Sequence, residues 1–308
     1  MDINLQNNII DIAENNYHFL KSLENVLGVG LGFKTINYQV TDEPCIHVLV
    51  QRKIDESFIL DSKNIIPKEY MGIKTDVLEI GNPKFRSLTD KVRPLEGGYS
   101  IAPSISSSAG TLSCIVTKLD SDNRRNFYIL SNNHVLADQG DIPLETPILQ
   151  PAKRDGGKLE DIIAFLSEFI PLEFSFEEPY PINYVDAAIA KITDEKLIST
   201  LIGYIGNVKG VDDAIPNTFV KKSGRTTGYT EGIITTTNVT IDLSGGTFKQ
   251  QILADLKNSH GDSGSLLLNE NNKAVGLLFE GKGDTIAIAS PIKNVLTALN
   301  VKLVIDCS

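Results

Sequence analysis

The chain has 308 residues, enough for one large domain or two modest ones, since a common domain holds roughly 150 residues. Apolar residues make up 41% and charged residues 22%, an ordinary globular composition that excludes a disordered or collagen-like polymer. Basic residues number 29 against 39 acidic ones, and the net charge of −10 lacks the electrostatic footprint of a nucleic-acid binder and repels an anionic membrane surface.

The first residues, MDINLQNNIIDIAENN, hold no basic run and no apolar core of an export signal, and no stretch nears the roughly 20 apolar residues that span a bilayer. Residues 4–25 set Leu5, Ile9, Ile12, Leu20 and Leu23 close to helical spacing, which predicts one amphipathic helix. NVLGVGLGFKTI, CIHVLVQRKI and MGIKTDVLEIG then read as three strands. GVGLG is not a phosphate loop, because it follows a helix and enters a strand, whereas the dinucleotide fingerprint needs strand, glycines and then helix.

From about Asp90 the texture changes. RPLEGGYSIAPSISSSAGTL reads as a loop or domain junction. Short β-rich runs separated by turn signals follow, from TLSCIVTKL and NFYILSN through LEDIIAFLSEFI, VDAAIAKI, NTFVKKSG, GIITTTNVTIDL and FKQQILADL to GSLLLNE, KAVGLLFE and DTIAIAS. Such spacing suits an antiparallel sandwich or barrel. Only SPIKNVLTALNV returns to helical periodicity. The predicted organisation is a small α+β accessory or regulatory domain, residues 1–92, ahead of a mostly β domain, residues 93–308, with a C-terminal helix.

Cys45, Cys114 and Cys307 are widely spaced and odd in number, which does not suit a disulfide framework and predicts reduced thiols in a cytoplasmic protein. Cys114 lies in an apolar run and reads as a core residue. No CxxC or HExxH spacing is present, so no metal and no cofactor are expected.

A serine hydroxyl is a weak nucleophile at neutral pH, so acyl transfer needs a base to take its proton and a carboxylate to fix the base's tautomer. YILSNNHVLAD sets His134 at the end of one apolar strand, NYVDAAIAKI sets Asp186 at the start of another, and HGDSGSLLL carries Ser263. An α/β-hydrolase would need a histidine after its serine, but His18, His47, His134 and His260 all precede Ser263, and Ser265 stands where the nucleophile elbow requires glycine.

SNNHVL, VDAAIA and GDSGS resemble the motif blocks of the chymotrypsin-fold (trypsin-like) serine peptidases, over roughly residues 95–300. The resemblance implies two six-stranded antiparallel β-barrels with the active site in the cleft between them. It implies Ser263 as nucleophile, His134 as general base and later acid, Asp186 as orienting carboxylate, and the N–H groups of Gly261 and Ser263 as the oxyanion hole. KSGRTTGYTEGI is similar to the GRTTG segment of bacterial enzymes of this kind, which implies an ion pair between Arg225 and Asp262 and no need for proteolytic activation. The GVGxG strand, with RPLEGGYS and SAGTL ahead of SNNHVL, is similar to the intracellular narrow-leaf-type subgroup of bacteria and plants. That similarity implies an N-terminal accessory domain, through which a homo-oligomer or a regulatory partner would form.

Counting six positions back from the nucleophile, the family's specificity-pocket base falls on Lys257, which favours an acidic side chain. The strand AVGLLFEGKG instead sets Glu280 and Gly281 beside the cleft, which favours basic groups. Both alternatives stay open. His260 lines the rim or faces solvent, and the serine that hydrogen-bonds the triad aspartate in many relatives is replaced by Phe279. The expected activity is a serine endopeptidase acting on protein or peptide substrates through an acyl-enzyme, without nucleic-acid or membrane partners. The alternative is a catalytically silent trypsin-like binding or scaffold protein that takes extended peptides by strand addition.

Overall fold

The computed structural model describes residues 2–36, 39–59, 62–81, 87–282 and 285–305, and Cys307 lies outside them. The chain divides into two compact units, Met1–Phe85 and Arg86–Ser308. The expected boundary after residue 92 falls inside the second unit's own packing. Leu88 and Val92 are buried with Tyr99, Ser100 N donates to Leu88 O at 2.8 Å, and Val92 N donates to Gln150 Oε1 at 3.0 Å.

In the first unit the expected single helix is two, Ile3–Asn15 and His18–Ser22. Asp2 caps the first by accepting from Asn4 N at 2.9 Å, which satisfies an end donor that has no partner within the helix. The break comes at Asn16, whose side chain turns back to Asp11 at 3.0 Å and whose carbonyl accepts from the Tyr70 hydroxyl at 3.0 Å. These bonds compete with helix continuation. Four strands, Val26–Ile36, Gln39–Val50, Ile73–Glu79 and Glu69–Tyr70, lie side by side in that order. One sheet face buries Ile46, Val48 and Val50 with Ile9, Ile12, Leu20 and Leu23 of the helical segment. GVGLG lies wholly within the first strand.

Among the described residues the second unit holds a two-stranded sheet, Leu201–Ile202 with Gly206–Asn207, and two large sheets, each with six strands of three or more residues and two two-residue strands. The first runs in the order Lys302–Leu303, Ile115–Leu119, Arg125–Ser131, Ala188–Ile192, Ile162–Phe169, Pro147–Leu149, Ser100–Pro103 and Gly110–Thr111. In the second, Gly246–Leu256, Gly228–Leu243, Phe219–Gly224, Leu266–Leu268, Lys273–Lys282 and Ile286–Pro291 form a closed ring of antiparallel pairings. Closure removes the unpaired edges that an open sheet would present. The additional two-residue strands are too short for a hydrophobic pattern to reveal. Ser100–Pro103 arises within the stretch expected to be a loop.

Each sheet encloses its own apolar cluster, the first around Ile101, Ile129, Ile163 and Leu166, the second around Val220, Ile252, Leu267 and Leu278. A third cluster joins them: Leu130, Val185, Ala187 and Ile189 from the first meet Leu266, Leu268 and Leu277 from the second, closed over by Ile292, Val295 and Leu299 of the C-terminal helical segment. This shared core holds the sheets together without a disulfide among the described residues. Leu299→Ala is expected to lower the unfolding free energy by about 2–5 kcal/mol, read from a urea transition. An unchanged transition would show that the segment does not close this core.

Candidate active site

His134 and Asp186 flank two adjacent antiparallel strands of the first sheet at the same end, where Ser131 pairs with Ala188. Arg125–Ser131 leads through Asn132 into a one-turn helix, Asn133–Leu136, so His134 sits on a helical turn and not at the strand end expected for it. Asp186 precedes Ala188–Ile192 by two residues and is 3% exposed. Its Oδ2 pairs with His134 Nδ1, and its Oδ1 accepts from the His134 backbone N–H at 3.2 Å. Asn132 Nδ2 donates to the Asp186 carbonyl at 2.8 Å, tying the two segments together. One carboxylate thus holds both the ring and the backbone of His134. Burial opposes protonation of this imidazole, but the charge of Asp186 and its hydrogen bond outweigh that, helped by Glu280 and Asp138, and raise its pKa above the ordinary 6.5.

The nucleophile candidate lies in the second sheet's loop. Gly261 and Gly264 adopt φ of +98° and +96°, conformations that L side chains resist. A Cβ at Gly264 would stand 2.1 Å from Thr111 O. Thr111, which the sequence reading did not single out, laces this loop to the first sheet: its N–H donates to Ser263 O at 2.8 Å, its hydroxyl donates to Gly261 O at 2.7 Å, and that hydroxyl accepts from Arg225 N at 3.0 Å. Neither the Gly261 nor the Ser263 N–H donates to a partner among the described residues. The Ser263 hydroxyl donates to Phe279 O at 3.2 Å, and no hydrogen bond joins it to His134 among the described residues.

The expected Arg225–Asp262 ion pair is replaced by another. Asp262, fully buried, pairs with Lys222, whose Nζ lies 3.1 Å from Oδ2 and whose side chain is also fully buried. Four further donors complete the carboxylate: Thr226 N at 2.8 Å, Thr227 N at 3.0 Å, Thr227 Oγ1 at 2.6 Å and Ser259 N at 2.9 Å. Burial pulls the Lys222 pKa down while Asp262 opposes the shift. Arg225 turns to Asp155 with Nε at 2.9 Å and a second bond from Nη2, and Asp155 also accepts from Ser100 Oγ at 2.5 Å. The physical reason is strand alternation. Val220 and Lys222 share the inward face of Phe219–Gly224, whereas Arg225 follows the strand's end.

A cavity of about 170 Å³, on the scale of one side chain, is lined by His134, Ser263, His260, Phe279, Glu280 and Gly281 together with Asn258, Ser259 and Leu278. Lys257 is not among its walls. Leu256 is buried, Lys257 is exposed and Asn258 is 4% exposed, so the residue six places before Ser263 faces away and Asn258 takes the inner position. Asn258 Nδ2 is spent on Leu256 O at 2.9 Å and Ile286 O at 2.8 Å. A Cβ at Gly281 would stand 1.9 Å from Asn258 Oδ1, so this glycine makes room for the amide. The Phe279 ring is buried and stacks on Phe248 with centroids 5.2 Å apart. It offers the Asp186 carboxylate no donor, and among the described residues that carboxylate's donors come from His134 alone. Asn258 and Lys222 were both within reach of a sequence reading that followed strand alternation forward from Leu256 and Val220.

The sequence model of the NARROW LEAF 1 N-terminal domain matches residues 5–78. Protein NARROW LEAF 1 of Oryza sativa subsp. japonica is 27% identical over 300 residues, covering 83% of this chain and 51% of its own length, so the chain spans about half of that relative. Among solved structures, Thermobifida fusca Protease A is 19% identical with a TM-score of 0.51, covering 68% of this chain and 98% of its own. A glutamic-acid-specific serine protease is 22% identical with a TM-score of 0.51, covering 68% of this chain and all of its own.

Lys222→Met is expected to cost about 3–5 kcal/mol by stranding a buried carboxylate, measured by urea unfolding. A double-mutant cycle with Asp262→Asn should return about 0.5–3 kcal/mol of coupling to Lys222, and less to Arg225. The reverse ranking would restore the arginine as the partner. On fold and sequence together, the larger unit has the chymotrypsin-like serine-protease fold and the smaller one matches the narrow-leaf N-terminal domain.

Proposed function

We propose that the chain is a serine endopeptidase of the cytoplasm that hydrolyses protein or peptide substrates through an acyl-enzyme. The observation that carries this reading is that His134, paired through Nδ1 with Asp186, lines the same cavity as Ser263. In this mechanism the Ser263 O–H leaves Phe279 O, turns to His134 Nε2 and gives up its proton as Oγ attacks the scissile carbonyl. The oxyanion forms against the Gly261 and Ser263 N–H groups. The imidazolium, held by Asp186, returns the proton to the leaving amine, and water admitted in its place releases the acyl group by the same steps reversed. The free, buried thiols of Cys45 and Cys114 support a reducing compartment, and no described helix is long and apolar enough to cross a membrane.

The Ser263–Phe279 bond favours a second reading, in which the triad is unused and the cleft holds an extended peptide without cutting it. A fluorophosphonate probe decides between them. Ser263-dependent labelling, absent from Ser263→Ala, is expected for the peptidase. Absence of labelling in a protein shown to be folded, with peptide binding retained, would establish the silent binder. His134→Ala should lower kcat by roughly 10⁴-fold or more.

The pH profile carries a further expectation. General-base chemistry needs neutral imidazole, and Asp186 favours the protonated form, so the acid limb of kcat/KM should have its midpoint above 6.5. Asp186→Asn removes that charge and should move the midpoint down while cutting the rate. A midpoint that stays in place would mean that a group other than His134 sets the limb.

A further inference from the structure

Cys45 and His47 alternate with Ile46 on the strand Gln39–Val50, so both lie on the sheet face opposite the one that buries Ile46 and Val48 against the helices. Asp76 is the register partner of His47 on the parallel neighbour Ile73–Glu79. Gly32 is the register partner of Cys45 on the other side. The three side chains bring a thiol sulfur, an imidazole nitrogen and a carboxylate oxygen within 4.8 Å of one another. We propose that Cys45, His47 and Asp76 form a binding site for one divalent cation of the zinc class, with a fourth coordination position open to water.

Three features of the surroundings fit ligation. His47 Nε2 lies 3.0 Å from Phe33 O, and since a carbonyl only accepts, that nitrogen carries the proton and leaves the Nδ1 lone pair for a cation. Metal-bound histidines are commonly oriented by such a bond from their other nitrogen. Asp76 Oδ2 accepts from Thr35 N at 2.7 Å, which anchors the carboxylate and leaves Oδ1 available. A Cβ at Gly32 would stand 2.3 Å from the His47 ring, so only glycine there lets the imidazole lie over the strand beside Cys45.

The donor set selects the ion. Thiolate, imidazole and carboxylate are the sulfur, nitrogen and oxygen ligands of zinc, with bonds of about 2.0–2.3 Å, and three protein ligands with one open position is a pattern zinc accepts. An equilateral triangle with edges of 4.8 Å has its centre about 2.8 Å from each corner, so closure by less than about 1 Å per side chain brings the atoms to bonding distance. An ordinary cysteine thiol, with a pKa of about 8.5, is mostly protonated at neutral pH, and the metal ligand is the thiolate. Binding forms the S–metal bond, breaks S–H and releases one proton to solvent, with no change of oxidation state.

The test is a Co²⁺ titration of the full-length protein after chelation. Expected are saturation at one equivalent, a thiolate-to-cobalt charge-transfer band, release of about one proton per cobalt, and competition by Zn²⁺. Cys45→Ser should abolish the band, His47→Gln should weaken binding at least tenfold, and Cys307→Ser should leave both unchanged. Zn²⁺ should raise the Tm of the parent and not that of His47→Gln. His47 is only partly buried, so this variant carries the test should Cys45→Ser fail to fold. Saturable cobalt binding without the charge-transfer band, binding unaffected by His47→Gln, or no saturation would each overturn the site.

Discussion

Asp262 carries a charge with no route to solvent, and much of the candidate site's architecture follows from the need to compensate it. An unpaired carboxylate in that position would cost several kcal/mol, and five donors converge on it instead. Because the residue stands between Gly261 and Ser263, every bond that satisfies Asp262 also restrains the loop carrying the nucleophile candidate. Lys222 supplies the countercharge from within the second sheet, so the compensation is built into the folded domain.

Thr111 extends that restraint across to the first sheet. Its backbone and hydroxyl meet Ser263, Gly261 and Arg225, while its carbonyl accepts from Ser131 Oγ at 2.8 Å three residues ahead of His134. The shared apolar core around Leu130, Ala187 and Leu266 lies directly behind the same segments. Histidine and aspartate from one sheet and serine from the other are therefore held by packing and by buried hydrogen bonds. Reacting groups brought together in advance lower the entropic part of a barrier. The proposed chemistry begins with the Ser263 hydroxyl turning away from Phe279 O.

Much of this was legible in the chain. The β-rich runs from residue 110 onward correspond to strands, and the three motif blocks emerge as neighbours of one cavity wall and its supporting carboxylate. What escaped did so for particular reasons. Lys222 and Arg225 both lie in KKSGRTT, and motif similarity favoured the arginine, whereas period-two alternation points Lys222 inward with Val220. Counting six residues back from Ser263 ended on an outward-facing lysine, next to the inward Asn258. One of the two bonds at the Asn16 helix break comes from the Tyr70 hydroxyl, 54 residues away, which no helical periodicity contains.

By itself the sequence determined the kinds of chemistry available and their order along the chain: serine, histidine and carboxylate blocks, a β-rich body and a helix-plus-strand segment before it. These are local patterns, carried by side-chain type and by spacings of two or a few residues. Tertiary structure alone decided that Thr111 ties the Ser263 loop to the first sheet, that Arg225 meets Asp155, and that Cys45, His47 and Asp76 converge. Those outcomes depend on strand register and on pairing between distant segments, where a shift of one residue sends a side chain to the opposite face.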